Sequence, residues 1–432
     1  MHTYPHSMTP TIRLPSLAQI ARALGIVLLR VVMALVVVLM AVPVALLPVG
    51  TAVPAPVWFL LAIADIALIV ALVRFARTWR ATIGALAGFV LLAALAVAAS
   101  QAFAATPPIV DANGKPIAGS IAVMEKVNLG GSQQWITIRG KDINKPVLLY
   151  LGIGGPGAGG FPASALTLAP LEEHFVVVNW DQPGTGKSYH ATPISTLTVE
   201  RFVSDAHELT QLLRARFHQD KIYVLGLSWG TILGTKLVQQ YPDLFYAYVG
   251  TGQMVNTTEN DIMGYQLALQ LAAERGDIKT VNTLRRNGLP PYAGNGMTTK
   301  YAVYNNVLFE HMGSPRLEQV LVLVPQFARE YGLLDKVNFA RGLIESFPVL
   351  YPQLRDLDFT TQAAKVDVPM YFLVGRRDVN AMASLVERYY SVLDAPHKEL
   401  IWLDSGHGAG PDEILDAMVN HVLVTSAPHP TQ

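Results

Sequence analysis

The chain has 432 residues, no cysteine, and as many acidic as basic side chains, so its formal net charge is zero. That composition excludes a disulfide framework, a thiol nucleophile and thiolate metal sites, and offers no charge excess to nucleic acid. Apolar residues make up 51% and charged ones only 15%, against about 25% charged in an ordinary soluble domain; the apolar excess sits in the first hundred residues, and the length predicts more than one structural unit.

Residues 31–50 (VVMALVVVLMAVPVALLPVG), 56–73 and 82–104 each carry about the 20 apolar residues a helix needs to cross hydrocarbon, and three such stretches in series predict an integral anchor over 1–104 that makes the lipid bilayer a partner of the chain. Arg13, Arg22 and Arg30 precede the first stretch, and Arg74, Arg77 and Arg80 fill the loop between the second and third. The loop between the first and second has no charge. Arginine marks cytoplasmic loops, which predicts a multi-pass protein of the cell membrane with everything after about residue 105 outside the cytoplasm. Asp65, inside the second stretch, reads as a packing contact among the helices, since no second ionisable group stands in the middle of the other two to form a relay.

Residues 105–119, rich in Pro, Gly and Asn, read as a linker. After them, 120–139 gives two extended segments around Gly130-Gly131, a hairpin signal. The short apolar runs 146–151 (PVLLYL), 175–180 (FVVVNW) and 222–227 (IYVLGL) have the pattern of buried parallel strands. Helical patterns at 198–217 and 229–241 separate them, and 244–250 continues the alternation. Residues 253–366 read as helices and loops, a cap inserted before two last strands at 369–374 and 398–403. The predicted class is α/β: a mostly parallel, doubly wound sheet in two parts, 120–252 and 367–432, with a helical cap over the strand ends where such sheets bind ligands.

Gly226-Leu227-Ser228-Trp229-Gly230 follows one predicted strand and opens the next helix. A serine on that sharp turn is exposed at the top of the sheet, and the glycines allow strand and helix to pass closely. Serine needs a base to take its proton. His407 follows the last strand and Asp378 the strand before it, so both fall on the edge that carries Ser228, in the order Ser, Asp, His expected of such a fold. Ser228 is therefore the candidate nucleophile, His407 the base and Asp378 the residue that orients the imidazole. Asp404 is the rival acid; His397 is the rival base, but it precedes its strand and so lies at the wrong edge. An oxyanion needs two N–H donors. The candidates are Trp229, next after the nucleophile, and Gly155 in the glycine-rich loop that follows 146–151.

DQPGTGKS at 181–188 ends like a phosphate-binding loop, but Asp181 stands where the first glycine is required, Pro183 lacks an N–H, and no helix pattern follows at once. Nucleotide binding is thus not expected. The histidines show no HExxH-like pairing, so no metal is expected.

GGPG at 154–157, DQPGTGKS at 181–188 and GLSWG at 226–230 together resemble the proline iminopeptidase (prolyl aminopeptidase) branch of the α/β-hydrolases, which shows HGGPG, DQRGxGxS and GxSWG in this order. The resemblance spans about 120–425. It implies the α/β-hydrolase fold, serine hydrolysis through an acyl-enzyme without a cofactor, and release of an N-terminal residue from short peptides. Ile153 stands where that branch has His, and Pro183 where it has Arg. An aminopeptidase must bind a free α-ammonium, which calls for cap carboxylates: Glu259 and Glu310 are candidates, with Asp261 and Glu274. The substrate expected is a small molecule or short peptide. A membrane-tethered esterase or lipase acting on hydrophobic esters uses the same chemistry, and a non-catalytic receptor on the same scaffold is the reading from another class.

Overall fold

The computed structural model describes residues 16–75, 78–152, 155–294 and 296–426. The chain divides into two compact units: the N-terminal helices up to residue 99, and a larger unit formed by 49–53 together with 100 onward.

The first unit is built from α1 (Leu17–Leu46), α2 (Ala55–Phe75) and α3 (Trp79–Ala102), whose last turn belongs to the larger unit. All three are long and apolar enough to cross a membrane, with mean hydropathies of 2.9, 2.5 and 2.3, and they fit a membrane anchor. α1 begins well ahead of the apolar run at 31, because Ser16 and Gln19 form a capping box: each side chain bonds the other residue's backbone N–H. Arg22 and Arg30 therefore stand inside the helix and not before it. Its 30 residues span about 45 Å at roughly 1.5 Å each, more than the about 30 Å of hydrocarbon, so its N-terminal turns can carry Arg22 beyond the apolar layer, while Arg30 stands close to its edge. Arg13 and Arg77 lie outside the described residues. Asp65 of α2 is buried, and its Oδ1 has no hydrogen-bond partner among the described residues.

The larger unit is organised by an eight-stranded sheet of order β1-β2-β4-β3-β5-β6-β7-β8. Its strands are β1 (Ile121–Leu129), β2 (Ser132–Gly140), β3 (Val147–Leu151), β4 (Val176–Asp181), β5 (Ile222–Leu227), β6 (Phe245–Thr251), β7 (Met370–Gly375) and β8 (Lys398–Leu403). β1 and β2 are the antiparallel hairpin expected around Gly130-Gly131; from β4 onward all pairings are parallel. The continuous apolar run of β3 is explained by burial on both faces. Leu149 and Leu151 point into one core with Val178, Val224 and Leu233, whereas Leu148 and Tyr150 point into the other with Leu225, Val249 and Met418.

Helices cover both faces. α4 (Val199–Phe217), capped by Thr198, turns Phe202, Ala206, Leu209 and Leu213 inward at helical spacing. α5 (Trp229–Gln240) packs beside it. Between β6 and β7 the chain runs through α6 (Thr257–Glu274), α7 (Ile278–Asn287), α8 (Met297–His311), α9 (Leu317–Leu323), α10 (Leu333–Leu350) and α11 (Phe359–Gln362). α6, α7 and α8 enclose a smaller core of their own around Tyr265, Ala268, Leu284 and Leu308. α12 (Ala383–Val392) joins β7 to β8.

Candidate active site

The site is assembled at the C-terminal ends of the parallel strands. β5 stops at Leu227 and α5 starts at Trp229, so Ser228 alone makes the turn, at φ 53° and ψ −115°. A non-glycine residue held there costs about 1–3 kcal/mol. The turn is fixed on both sides: Ser228 N–H donates to the Thr251 carbonyl (3.1 Å), and the Ser228 carbonyl accepts from Thr231 N–H (2.9 Å) and hydroxyl (2.6 Å). Gly230 is required by close approach, since a Cβ there would lie 1.7 Å from the Leu151 carbonyl oxygen. Trp229 is the first residue of α5, so its N–H is one of the donors a helix start leaves free. Its indole N–H donates to Gln182 Oε1 at 3.0 Å, which fixes the residue from the side.

His407, in the loop after β8, has Nε2 at 3.0 Å from Ser228 Oγ and Nδ1 at 3.0 Å from Asp378 Oδ2. Asp378 follows β7, and its Oδ1 accepts from the backbone N–H groups of Asn380 and Ala381, each at 2.9 Å. Serine, imidazole and carboxylate thus form one hydrogen-bonded chain. Burial pulls the His407 pKa down, but the charge of Asp378 and its hydrogen bond together outweigh it, and the net shift is upward from the ordinary value. The two rivals stand elsewhere. The Asp404 backbone carbonyl accepts from Arg377, and His397 lies 3.8 Å from Glu399 ahead of β8. Asn380, which the sequence pattern does not single out, puts Nδ2 at 3.2 Å from His407 Nε2.

Ser228 and His407 open into a cavity of about 180 Å³ whose lining includes Gly155, Trp229, Asp261 and Asn380, with apolar walls from α8, α9 and α10 that include Leu308, Leu321, Leu343 and Phe347. Asp261 is the only carboxylate among the described lining residues, and no lysine or arginine is among them. It accepts three phenolic hydrogens: from Tyr301 at 2.9 Å, Tyr304 at 3.0 Å and Tyr351 at 2.7 Å. Burial pushes its pKa up to about 6, against the opposing pull of the three hydroxyls. A carboxylate has about four acceptor positions, so one is left that can face the cavity.

A family profile described as alpha/beta hydrolase fold matches residues 145–287. The chain is 33% identical over 286 residues to "Probable aminopeptidase YbaC" of Bacillus subtilis, covering 65% of this chain and 88% of that protein. It belongs to the α/β-hydrolases, on their proline iminopeptidase-like branch. A proline iminopeptidase of Heyndrickxia coagulans is 27% identical over 256 residues, covering 59% of this chain and 82% of that one. Among solved structures, a proline iminopeptidase-related protein from Thermus thermophilus aligns with 71% of this chain and 99% of its own at 19% identity, with a TM-score of 0.49.

The remaining candidate positions of the hydrolase divide by which way they face. Glu259 and Glu310 do not reach the cavity. Glu259 pairs with Arg388 at the surface, and Glu310 pairs with Arg275 (3.4 Å) and Arg316 (3.1 Å). The cause for Glu259 is helical geometry: two residues along α6 is about 200° around it, so Asp261 faces inward and Glu259 outward. Glu274, at the end of α6, accepts from Gln270 on the exposed surface. Gly155 lines the cavity beside Ser228, whereas Ile153 and Gly154 lie outside the described residues.

The DQPGTGKS segment of the hydrolase is held in place by contacts of Asp181 and Lys187. Asp181 is buried and accepts from Gly160 N–H (2.9 Å), Phe161 N–H (3.4 Å), Lys187 N–H (2.9 Å) and the Tyr331 hydroxyl (2.7 Å), which ties the loop after Gly155 to the turn before α10. Burial raises its pKa to about 7 against those donors. Lys187 forms a buried ion pair with Asp335 at 2.9 Å.

Proposed function

We propose that this hydrolase is a membrane-anchored serine aminopeptidase that works outside the cytoplasm and releases N-terminal residues from short peptides. The observation that carries the chemistry is the 3.0 Å separation of His407 Nε2 from Ser228 Oγ, with Asp378 3.0 Å behind the other ring nitrogen.

His407 takes the Ser228 proton as Oγ attacks the scissile carbonyl carbon. The carbonyl oxygen becomes an oxyanion and receives N–H groups from Trp229 and Gly155. His407 then gives its proton to the departing amine, the C–N bond breaks, and an acyl-enzyme forms on Ser228. A water, deprotonated by His407, attacks the ester, and serine leaves with the proton. Asp378 holds the imidazole in the tautomer that presents Nε2 as acceptor and stabilises the imidazolium between the two transfers. Asp261 receives the substrate's α-ammonium: it is the lone carboxylate of a cavity without lysine or arginine among its described lining residues, and aromatic faces beside it favour a cation. The helices from α6 to α11 act as the cap that supplies this pocket, and α1–α3 tether the enzyme, with arginine placement supporting a catalytic domain on the far side from the cytoplasm.

The apolar walls from α8 to α10 support a second reading, an esterase for hydrophobic esters, which shares every step except the amine contact. The chemistry common to both is tested by treating the full-length protein with a fluorophosphonate and weighing the product. One adduct mapped to Ser228, absent in Ser228→Ala, is expected; an unmodified Ser228 in correctly folded protein would sink the proposal.

A further inference from the structure

Helix α10 buries one face and exposes large apolar side chains on the other. One face buries Phe339, Gly342, Ser346 and Leu350. The other presents Leu334, Val337 and Ile344 at helical spacing, exposed by 50%, 54% and 50%. Exposed apolar side chains gathered in one place mark a contact surface. Val322, Leu323 and Phe327 are also exposed, on the segment packed beside α10 and bonded to it through Lys336, whose Nζ donates to the Ala328 carbonyl. Beyond residue 104 the other exposed large apolar side chains among the described residues are scattered singly along the chain, which is normal for a protein surface. The acidic side chains of the patch are neutralised or hidden: Glu318 and Glu345 pair with Arg316 and Arg341, and Glu330 and Asp335 are buried. Arg329 is exposed there, and so is Arg341, whose charge is shared with Glu345.

What covers this face follows from what the same segment holds. Residues 49–53 join α1 to α2 and belong to the larger unit. Gly50 lies so close to the Gln326 backbone that an added Cβ would be 2.2 Å from its carbonyl oxygen. Ser100 Oγ accepts from Leu333 N–H at 2.9 Å, and Gln101 Nε2 donates to Asp335 Oδ1 at 3.3 Å. Both lie in the last turn of α3. In a chain that crosses three times, the end of the first span, the start of the second and the end of the third emerge at one membrane surface. Every emergence at that surface is therefore tied to residues 326–335. Gly50 is about five residues from either neighbouring helix, at most about 18 Å of chain.

We propose that the α9–α10 face of the cap is a membrane-docking surface, seated in the headgroup region of the same bilayer that holds α1–α3. It rests on the membrane-anchor reading and not on the serine chemistry. Apolar side chains lie about 5–10 Å into that region when a helix docks on a membrane, and exposed arginines meet anionic headgroups. Ile344 belongs both to this face and to the cavity wall, and Leu321 lines the cavity just before Val322. The cavity mouth thus adjoins the bilayer surface, and substrates carrying an apolar segment enter from it.

The chain has no cysteine, so single labels can be placed without competition. Val337→Cys reports on the proposed face. Val424→Cys is the reference: it is exposed, and nearby Ser426 accepts from Tyr223 at the start of β5, the sheet edge opposite Ser228. Each full-length variant carries an environment-sensitive fluorophore in vesicles of phosphatidylcholine and phosphatidylglycerol, with or without a lipid bearing a shallow doxyl quencher. The label at 337 is expected to emit to the blue of that at 424 and to be quenched by the lipid at least about twofold more strongly. Equal quenching of both labels by aqueous iodide, with no lipid effect at 337, would overturn the proposal. So would a blue-shifted label at 337 that the lipid quencher does not touch, which would put a second copy of the chain there. Hydrolysis is not read, so failure of the Ser228 chemistry leaves this test intact.

Discussion

Tyr351 donates its hydroxyl hydrogen to Asp261 Oδ1 across 2.7 Å, within the cavity that also holds Ser228. The tyrosines orient the carboxylate, and in the proposed aminopeptidase its charge holds the substrate ammonium. Asp261→Asn keeps the shape and removes the charge. Loss of a charge-assisted contact of about 1.5–3 kcal/mol predicts a fall of roughly 10- to 100-fold in kcat/KM for anilides with a free amine, with N-acetylated anilides unaffected. Steady-state kinetics on matched pairs measures it; an equal loss on both would mean that Asp261 only holds the cavity together.

The two titrating groups act on different parameters. The His407 pKa is raised, and only the neutral imidazole accepts a proton, so kcat is expected to fall as pH drops, with a midpoint above the ordinary histidine value of about 6.5. Asp261, pushed up to about 6, must be ionised to hold an ammonium, so KM for free-amine substrates is expected to rise as pH falls through that value. In Asp261→Asn the pH dependence of KM should vanish while the limb in kcat persists. A pH-independent kcat in the native protein would remove His407 from the base role.

Asp378→Asn leaves the size of the side chain but no longer favours the tautomer with Nε2 free. A loss of about 10⁴-fold in kcat with little change in KM is expected. Asp404→Asn should leave kcat near its native value, since the contact to His407 Nδ1 comes from Asp378. Parallel kinetics on the two variants decides between the two acids.

Lys187 and Asp335 form an ion pair with both side chains about 7% exposed. Lys187→Met leaves a buried carboxylate without its cation, an imbalance that costs about 3–5 kcal/mol. A lowered Tm is expected in thermal unfolding of the full-length protein. An unchanged Tm would mean that water or neighbouring donors already satisfy Asp335.

What the sequence displays and what it hides follow from how local each signal is. The strand runs are legible because burial on both faces of a parallel sheet demands unbroken apolar stretches, as in Val147–Leu151. The serine turn is legible because strand, glycine spacing and helix are contiguous. Asp378 and His407 can be singled out because each follows a strand that ends on the edge of Ser228. The facing of the carboxylates on α6 is not legible. Glu259 and Asp261 sit two residues apart, and only the packing of α6 turns one outward to Arg388 and the other inward to tyrosines 301, 304 and 351. The start of α1 is hidden for a different reason: apolar runs mark where a membrane helix is greasy, while its first residue is set by the Ser16 cap.

The most direct test of the aminopeptidase reading is hydrolysis by the purified full-length protein of a matched panel: prolyl and alanyl anilides, their N-acetylated forms, and short acyl esters, with Ser228→Ala as control. Cleavage of the free-amine anilides well above the acetylated ones, abolished in Ser228→Ala, is the predicted result. Cleavage of esters with no preference for a free amine would contradict it and leave a membrane-anchored esterase.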